Sequence, residues 1–545
     1  MKKFIDTLIN GNEVNGRLAG LTPLQKLTLR FTVVSLVYYG FAVIEGMIMR
    51  LILASPNSLT ELIPEHQYFA ILTAHPLVGI FGATYTLVFG AFYFALPFLL
   101  KKPLWGFKAA NWSFWLITIG VFVFWFAGFL SHYGPLYTLY WPLPADFNQF
   151  GPWGGTFFIL GIALVMVASI IFVVIVFKTI TYTPKGWEKQ PGGSLLASAL
   201  GVSGLANLFR KKENRKHHQV PLPVAAIARG SVDVFLNAGI ITFTGVLILV
   251  YLLGHILGFN LQNSWIDALL YKNMFWWGLD LIADGLVLIF VAGTWYLLAM
   301  LITGVKNVYM ENVARALLLL ELVVSWTVWS HHLLSDQAQP LMLKLVSGQF
   351  VTAFELITQG LALFISLVTL WGARPLKWTP ELKFFLGGLL GFALAVAAGI
   401  IQADMGMNRI LHNTQWIVGP HVHVAVLIGL TMTLYAVVYK LLPVLTNGLN
   451  IFSVKLTSWH FWLHLLGGIG MGAFMGMAGL KGMLRRTIYY NGEFDIFMIL
   501  AALAGAALLL AYLSYFFNLV LTIGVKGIIE IFKPSKLPKE QILPE

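Results

Sequence analysis

The chain alternates long apolar stretches with short polar breaks, and about twelve of the stretches are long enough to cross a hydrocarbon layer of ~30 Å as helices. They lie near residues 30–54, 69–100, 112–132, 155–178, 235–258, 274–303, 308–334, 348–371, 381–403, 420–444, 456–480 and 494–524. The pattern predicts an all-α integral membrane protein with about twelve transmembrane helices. Only one connection, 183–234, is both long and polar. The expected organisation is therefore an N-terminal segment 1–29, a single membrane domain 30–524 and a tail 525–545. No internal repeat or low-complexity tract stands out.

Composition narrows the class. Of 545 residues, 58% are hydrophobic and 14% aromatic but only 11% charged, a balance foreign to soluble domains of this length. The opening MKKFIDTLINGNEVNG is polar, so no cleavable leader is expected. The net charge of +12 then speaks to membrane topology, not to nucleic acid. Lys2 and Lys3, the KKPLWGFK loop, FRKKENRKHH, Lys306, Arg374, Lys377 and the C-terminal lysines fall on one side if twelve spans alternate. The opposite loops, such as 132–155, are nearly free of Lys and Arg. The positive-inside rule places both termini in the cytoplasm, with Lys481, Arg485 and Arg486 as exceptions outside. Without cysteine, disulfides, thiolate metal sites and a CxxCH heme attachment are excluded within this chain.

Intramembrane polar groups carry the chemistry. FWWGLDLIADG (275–285) places Asp280 and Asp284 at i, i+4 on one helix face, with no Lys or Arg within a turn. In the predicted topology Asp280, His75 of LTAHPLVG, His331 and His332 of WSHHLLSDQ, and His421 and His423 of GPHVHVAV share one depth in the outer half of the membrane. His75 alone fits a helix–helix hydrogen bond as well as a ligand. The pair at 331–332 points more strongly to a metal. His421 and His423 stand ~200° apart on a helix and so cannot serve one metal; as ligands they serve two centres flanking one helix.

Other histidines read differently. His460 and His464 share a face but sit at the wrong depth, as packing or interfacial residues. His217 and His218 belong to a basic loop and are expected to be solvated. His132, His255 and His412 lie at the outer edge, against cofactor substituents or water. No Walker loop, GxSxG or HExxH is present.

A His early in the second span, HH ending the seventh and HxH opening the tenth resemble the catalytic subunit of the heme–copper oxidase superfamily, over roughly residues 25–525. HHLLSDQAQP and HNTQWIVGPHVH are closest to C-type oxidases and nitric oxide reductases. The resemblance implies that His75 and His423 are axial ligands of a low-spin heme and His421 the axial ligand of a high-spin heme. It makes His331 and His332 ligands of a non-heme metal. Arg485 and Arg486 in GLKGMLRRTIYY would hold heme propionates, which accounts for their position outside.

One departure decides the expected reaction. Family members carry a third metal-binding His after a WW pair, where WWGLD has Asp280. One turn on, where A-type oxidases have a cross-linked Tyr and nitric oxide reductases a Glu, this chain has Asp284. C-type oxidases take the Tyr from the position of Ser325. With neither Tyr place filled, and with a carboxylate favouring iron over copper, the expectation is a nitric oxide reductase: two hemes, b type by expectation, and one non-heme iron held by Asp280, His331 and His332. Glu355 in FVTAFELITQG matches a Glu typical of those reductases and, with Asp284, is the expected catalytic acid.

Two other readings stay open: a dioxygen reductase with an unrecognised radical donor, and a heme-free proton-coupled transporter. Electrons would come from a cytochrome c or cupredoxin-like partner subunit, or from quinol. Glu321, ten residues before His331, fits either a proton path from the cytoplasm or a carboxyl hydrogen-bonded between helices.

Overall fold

The computed structural model describes residues 2–11, 17–186, 191–286, 292–329, 331–336 and 338–535, and leaves the side chains of residues 2–4 and 282–286 undescribed. Asp284 therefore has a place on a helix but no side-chain geometry. Among the described residues the regular structure is all helical, apart from one isolated bridge between Thr414 and Leu484. In chain order the helices are α1 (Lys2–Asn10), α2 (Pro23–Ala54), α3 (Glu65–Leu100), α4 (Phe107–Leu130), α5 (Pro152–Thr181), α6 (Gly192–Ala199), α7 (Val202–Leu208), α8 (Leu222–Ile256) and α9 (Ala268–Leu286). Then come α10 (Thr294–Thr303), α11 (Glu311–Ser325), α12 (Leu341–Gly372), α13 (Pro380–Ala403), α14 (Met405–Leu411), α15 (Ile417–Leu445), α16 (Val454–Leu480), α17 (Asp495–Ile523) and α18 (Val525–Phe532).

Ten of these are long and apolar enough to cross a membrane, and the protein is a multi-pass membrane protein. The two remaining predicted spans fall on α9–α10 and on α11. The α11 helix stops at Ser325, where Thr327 closes a turn on the Val324 carbonyl, and His331–Leu333 form a separate 3-10 turn.

Several helices begin earlier than hydropathy predicts, and in α2 and α8 the reason is that charges near the start are matched. α2 starts at Pro23 behind a capping box, in which Thr22 Oγ1 accepts from Gln25 N–H and the Gln25 side chain accepts from Thr22 N–H. Its charged first turns are matched by α18: Lys26 Nζ is 3.0 Å from Glu530 Oε1, and Arg30 Nε donates to the Ile531 carbonyl. α8 starts at Leu222, not 235, because Arg229 and Asp233 neutralise each other one turn apart at 2.7 Å. The connection read as 183–234 thus shrinks and contains α6 and α7. α7 packs on α11, where a Cβ at Gly201 would come 2.1 Å from the Arg315 carbonyl oxygen.

Within α3 and α15 the backbone widens to π-helix over Val78–Tyr85 and Ile417–Leu430. Pro420 supplies no N–H in the second of these, and Thr84, Thr86 and Thr431 hydroxyls donate to carbonyls five residues back. Such insertions recur at functional sites. Here one follows His75 directly and the other contains both His421 and His423.

Candidate active site

α3 and α15 bring His75 and His423 face to face, with ring centroids 6.5 Å apart and planes inclined by 20°. His423 Nδ1 donates to the Val418 carbonyl at 2.6 Å, which leaves its Nε2 for another partner. Two metal–imidazole bonds of about 2.0–2.1 Å, with ~1.1 Å from each nitrogen to its ring centre, would put coaxial centroids about 6.3 Å apart. The observed spacing thus fits one metal ion between the two rings. Behind His75 lies Gly46 of α2, where a Cβ would stand 3.1 Å from the ring Cε1. One turn further on, buried Arg50 is within electrostatic reach of both imidazoles, and its Nη1 lies 3.8 Å from Met498 Sδ. Sequence reasoning did not single out Arg50, although a lone Arg in an apolar span was the available signal.

His421 leaves the opposite side of α15. Its Nδ1 donates to the Ala395 carbonyl of α13 at 3.0 Å, and Gly399 backs it so closely that a Cβ would come within 2.8 Å of Cε1. It faces His332 electrostatically. The pair in HVH therefore does divide between two sides of one helix.

α9 presents Asp280 to His332, whose Nδ1 contacts Asp280 Oδ1. Asp280 is 3% exposed, and its Oδ2 is buried without a hydrogen-bond partner. His331 sits with its ring centre 5.0 Å from that of His332; it donates from Nδ1 to the Ser347 carbonyl at 3.3 Å, and its Nε2 lies 4.0 Å from Glu355 Oε2. Trp276 stacks on His332 at 4.9 Å and donates from Nε1 to the Tyr140 hydroxyl at 2.6 Å. Asp280, His331, His332 and Glu355 are thus neighbours. Among the described residues, however, no three His, Asp or Glu side chains converge as a closed ligand shell. The donor set, a buried carboxylate with an unpaired oxygen beside two imidazoles, fits a divalent cation of intermediate hardness. Tyr140 was not anticipated: it comes from the loop between α4 and α5, and nothing local marks its approach to α9.

At the outer edge, residues 413–415 pair with 483–485: Arg485 N–H donates to the Asn413 carbonyl and Gln415 N–H to that of Met483. This brings the two arginines over the site. Arg486 Nη2 donates to the Tyr137 hydroxyl at 3.3 Å, and Arg485 Nη2 to Asn413 Oδ1 at 3.2 Å, while Arg485 Nε is buried without a partner. Burial pushes the Tyr137 phenol up, but the Arg486 and Arg485 cations outweigh it and hold the group below its ordinary value. Burial, reinforced by the Arg485 cation, pushes His412 down to about 2, so this imidazole is neutral at the edge of the site. Two neighbouring cations, one of them with an orphaned N–H, fit anionic groups, such as carboxylates.

Among the remaining histidines, His460 and His464 take the packing alternative and are fully buried: His460 Nδ1 pairs with the Tyr439 hydroxyl at 3.0 Å, and His464 Nε2 donates to the Leu427 carbonyl. His218 is not solvated but lies between Ser203 and the Asn312 side chain. His132 bonds Gln67, and His255 stacks on Phe147.

Residues 26–507 match the family described as cytochrome c and quinol oxidase polypeptide I. The chain is 25% identical over 480 residues to cytochrome c oxidase subunit 1 of Corynebacterium diphtheriae, covering 85% of this chain and 75% of that one. A cytochrome c oxidase polypeptide 1 of Halobacterium salinarum is 27% identical over 197 residues, 36% of this chain and 32% of the relative. The structure superposes on a solved heme–copper terminal oxidase with TM-score 0.71 at 19% identity, covering 95% of this chain and 86% of that one. The opposed imidazoles, the divided HVH pair and the matched length converge, and the chain belongs to the family of heme–copper oxidase catalytic subunits, membrane oxidoreductases that carry hemes and a further metal.

Proposed function

We propose that the protein is a nitric oxide reductase, joining two NO molecules with two electrons and two protons into nitrous oxide and water. The observation that carries this reading is Asp280 on His332, in the place of a third imidazole, together with Ser325 where a redox-active Tyr would stand. Splitting dioxygen in one step takes four electrons at the site, to which a tyrosine contributes; coupling two NO takes two.

In this reading His75 and His423 hold a low-spin heme, His421 holds a high-spin heme, and Asp280, His331 and His332 hold a non-heme iron. When bound, these groups supply electrons and bind the substrate. The chain's own residues do the rest. Gly46 and Gly399 admit the two rings at close range. Arg485 and Arg486 hold carboxylates of the hemes at the outer edge. Glu355 Oε2, 4.0 Å from His331 Nε2, is positioned to hold a proton beside the metal, and Asp284 is assigned the same task. We assign the protein to a prokaryotic cytoplasmic membrane with both termini inside and a cytochrome c, a cupredoxin-like partner or quinol as donor.

A second reading has its own support. The relatives named above are cytochrome c oxidases, and Tyr140, whose hydroxyl accepts from Nε1 of the Trp276 ring stacked on His332, offers a phenol near the centre. Reduction of dioxygen would then draw on Tyr140. Purified protein assayed for metal, heme, NO and dioxygen turnover separates the two. NO turnover well above dioxygen turnover, with iron at the non-heme site, is expected; the reverse ratio overturns the proposal.

A further inference from the structure

On the side of the candidate centre away from Arg485 and Arg486, three helices meet around a single cation. Arg229 of α8 is fully buried and uses its whole guanidinium: Nη1 donates to Asp233 Oδ2 at 2.7 Å, Nη2 to Ser325 Oγ at 2.7 Å and Nε to the Leu318 carbonyl at 3.1 Å. Ser325 Oγ in turn donates to Asp233 Oδ1 at 3.2 Å. A second carboxyl joins from α11. Glu321 is 1% exposed, lies in electrostatic contact with both Arg229 and Asp233, and shares a hydrogen bond with Thr358 of α12. Its Oε2 is buried without any partner.

Charge counting gives the consequence. Arg229 carries one positive charge, and Asp233 and Glu321 would carry two negative ones. A net charge in hydrocarbon is costly and is avoided by taking up or releasing a proton. Among the described residues, no other charged side chain relieves the excess; the side chain of Asp284 on α9 lies outside them. Arg315, six residues before Glu321, is held by Glu311 and by the carbonyls of Ser198 and Val220. Lys272 of α9 pairs with Asp336, Asp280 contacts His332, Glu355 lies by His331, and Lys178 ends α5. The Arg229 contacts to Asp233 leave Asp233 as the ionised member and Glu321, with its orphaned oxygen, as the one that carries hydrogen.

We propose that Arg229, Asp233 and Glu321 form a proton-holding site, in which two carboxyl groups around one cation share a single proton. The site is wired toward the centre. Ser325 belongs to the helix that leads to His331, and Asn237, one turn beyond Asp233, donates from Nδ2 to the Gly278 carbonyl, two residues before Asp280. Glu321 precedes His331 by ten residues, one helical turn before α11 ends at Ser325. The site thus stands between the inner surface and the metal-binding groups. Its existence rests on the charge count and not on the identity of the substrate.

Infrared difference spectra of the purified full-length protein at neutral pH, in water and deuterium oxide, test the proposal without turnover. Wild type minus Glu321→Gln should show loss of one protonated-carboxyl C=O band that shifts on deuteration. Asp233→Asn should lose the same band, because Glu321 then becomes the sole counter-ion of Arg229 and ionises. A spectrum in which Glu321→Gln removes only an ionised carboxylate signal overturns the proposal, as does survival of the band in Asp233→Asn. If Asp233→Asn does not fold, the Glu321→Gln spectrum decides alone. Either outcome leaves the NO and dioxygen rates to judge the reaction separately.

Discussion

Gly399→Ala is the sharpest probe of how the fold holds His421. An alanine Cβ at this position would meet His421 Cε1 at 2.8 Å, whereas ordinary contact begins at 3.4 Å, so ring or helix must yield by about 0.6 Å. The ring is also tied by the 3.0 Å bond from Nδ1 to the Ala395 carbonyl on the same helix as Gly399, so it cannot retreat without lengthening that bond. The same substitution at Gly46 meets His75 Cε1 at 3.1 Å and asks for only about 0.3 Å. Functional groups tolerate displacements of about 0.5 Å, and errors of about 1 Å can cost ~100-fold in rate. Gly399→Ala should therefore lower turnover by roughly tenfold, Gly46→Ala by about twofold or less.

Optical and resonance Raman spectra provide the assay. Gly399→Ala should disturb the high-spin heme alone and Gly46→Ala the low-spin heme alone. Gly360→Ala, with nothing within 4 Å of its Cβ, should leave both unchanged. A larger effect at Gly46 than at Gly399, or a low-spin change in Gly399→Ala, would refute both the packing argument and the division of His421 and His423 between two hemes.

Three further outcomes are expected. Asp280→Ala should lower affinity for the non-heme metal by more than the ~10–100-fold that loss of an outer partner costs, with both heme spectra kept; a fully loaded variant shows that Asp280 is no ligand. Tyr140→Phe leaves Trp276 Nε1 without its acceptor, a cost of ~1–3 kcal/mol if it stays dry; NO turnover should persist, and loss of a substantial dioxygen activity would favour the oxidase reading instead. The hydrogen bond from Lys26 holds Glu530 below the ordinary carboxylate range, so the contact is intact at neutral pH and is lost only as pH falls through that lowered value. Hydrogen exchange in 525–532 should rise on such acidification, and exchange indifferent to pH would detach α18 from this pair.

The histidines were legible because an imidazole in an apolar span is costly, and because the positive-inside rule allows depths to be compared between spans. That argument needs only sequence position; in the structure His75 faces His423 on one side of α15, and His421 faces His332, next to His331, on the other. Asp280 was legible for the same reason, and its grouping with His332 came from the family resemblance; the path of the chain between them was not legible, since α11 ends at Ser325 and a separate turn carries the imidazoles. Gly46 and Gly399 could not be found this way. Glycine is ordinary in membrane helices, and what makes these two matter is the ring packed against each. Arg229 and Asp233 failed for the opposite reason. A hydropathy window adds their polarities, while one helical turn cancels their charges at 2.7 Å, so the window assigned to a cytoplasmic loop the residues that start a membrane helix. Opposite charges at i, i+4 beside an apolar run are thus a sign of a buried pair rather than of a loop, and here the sign leads to Glu321, the carboxyl that the pair leaves uncompensated.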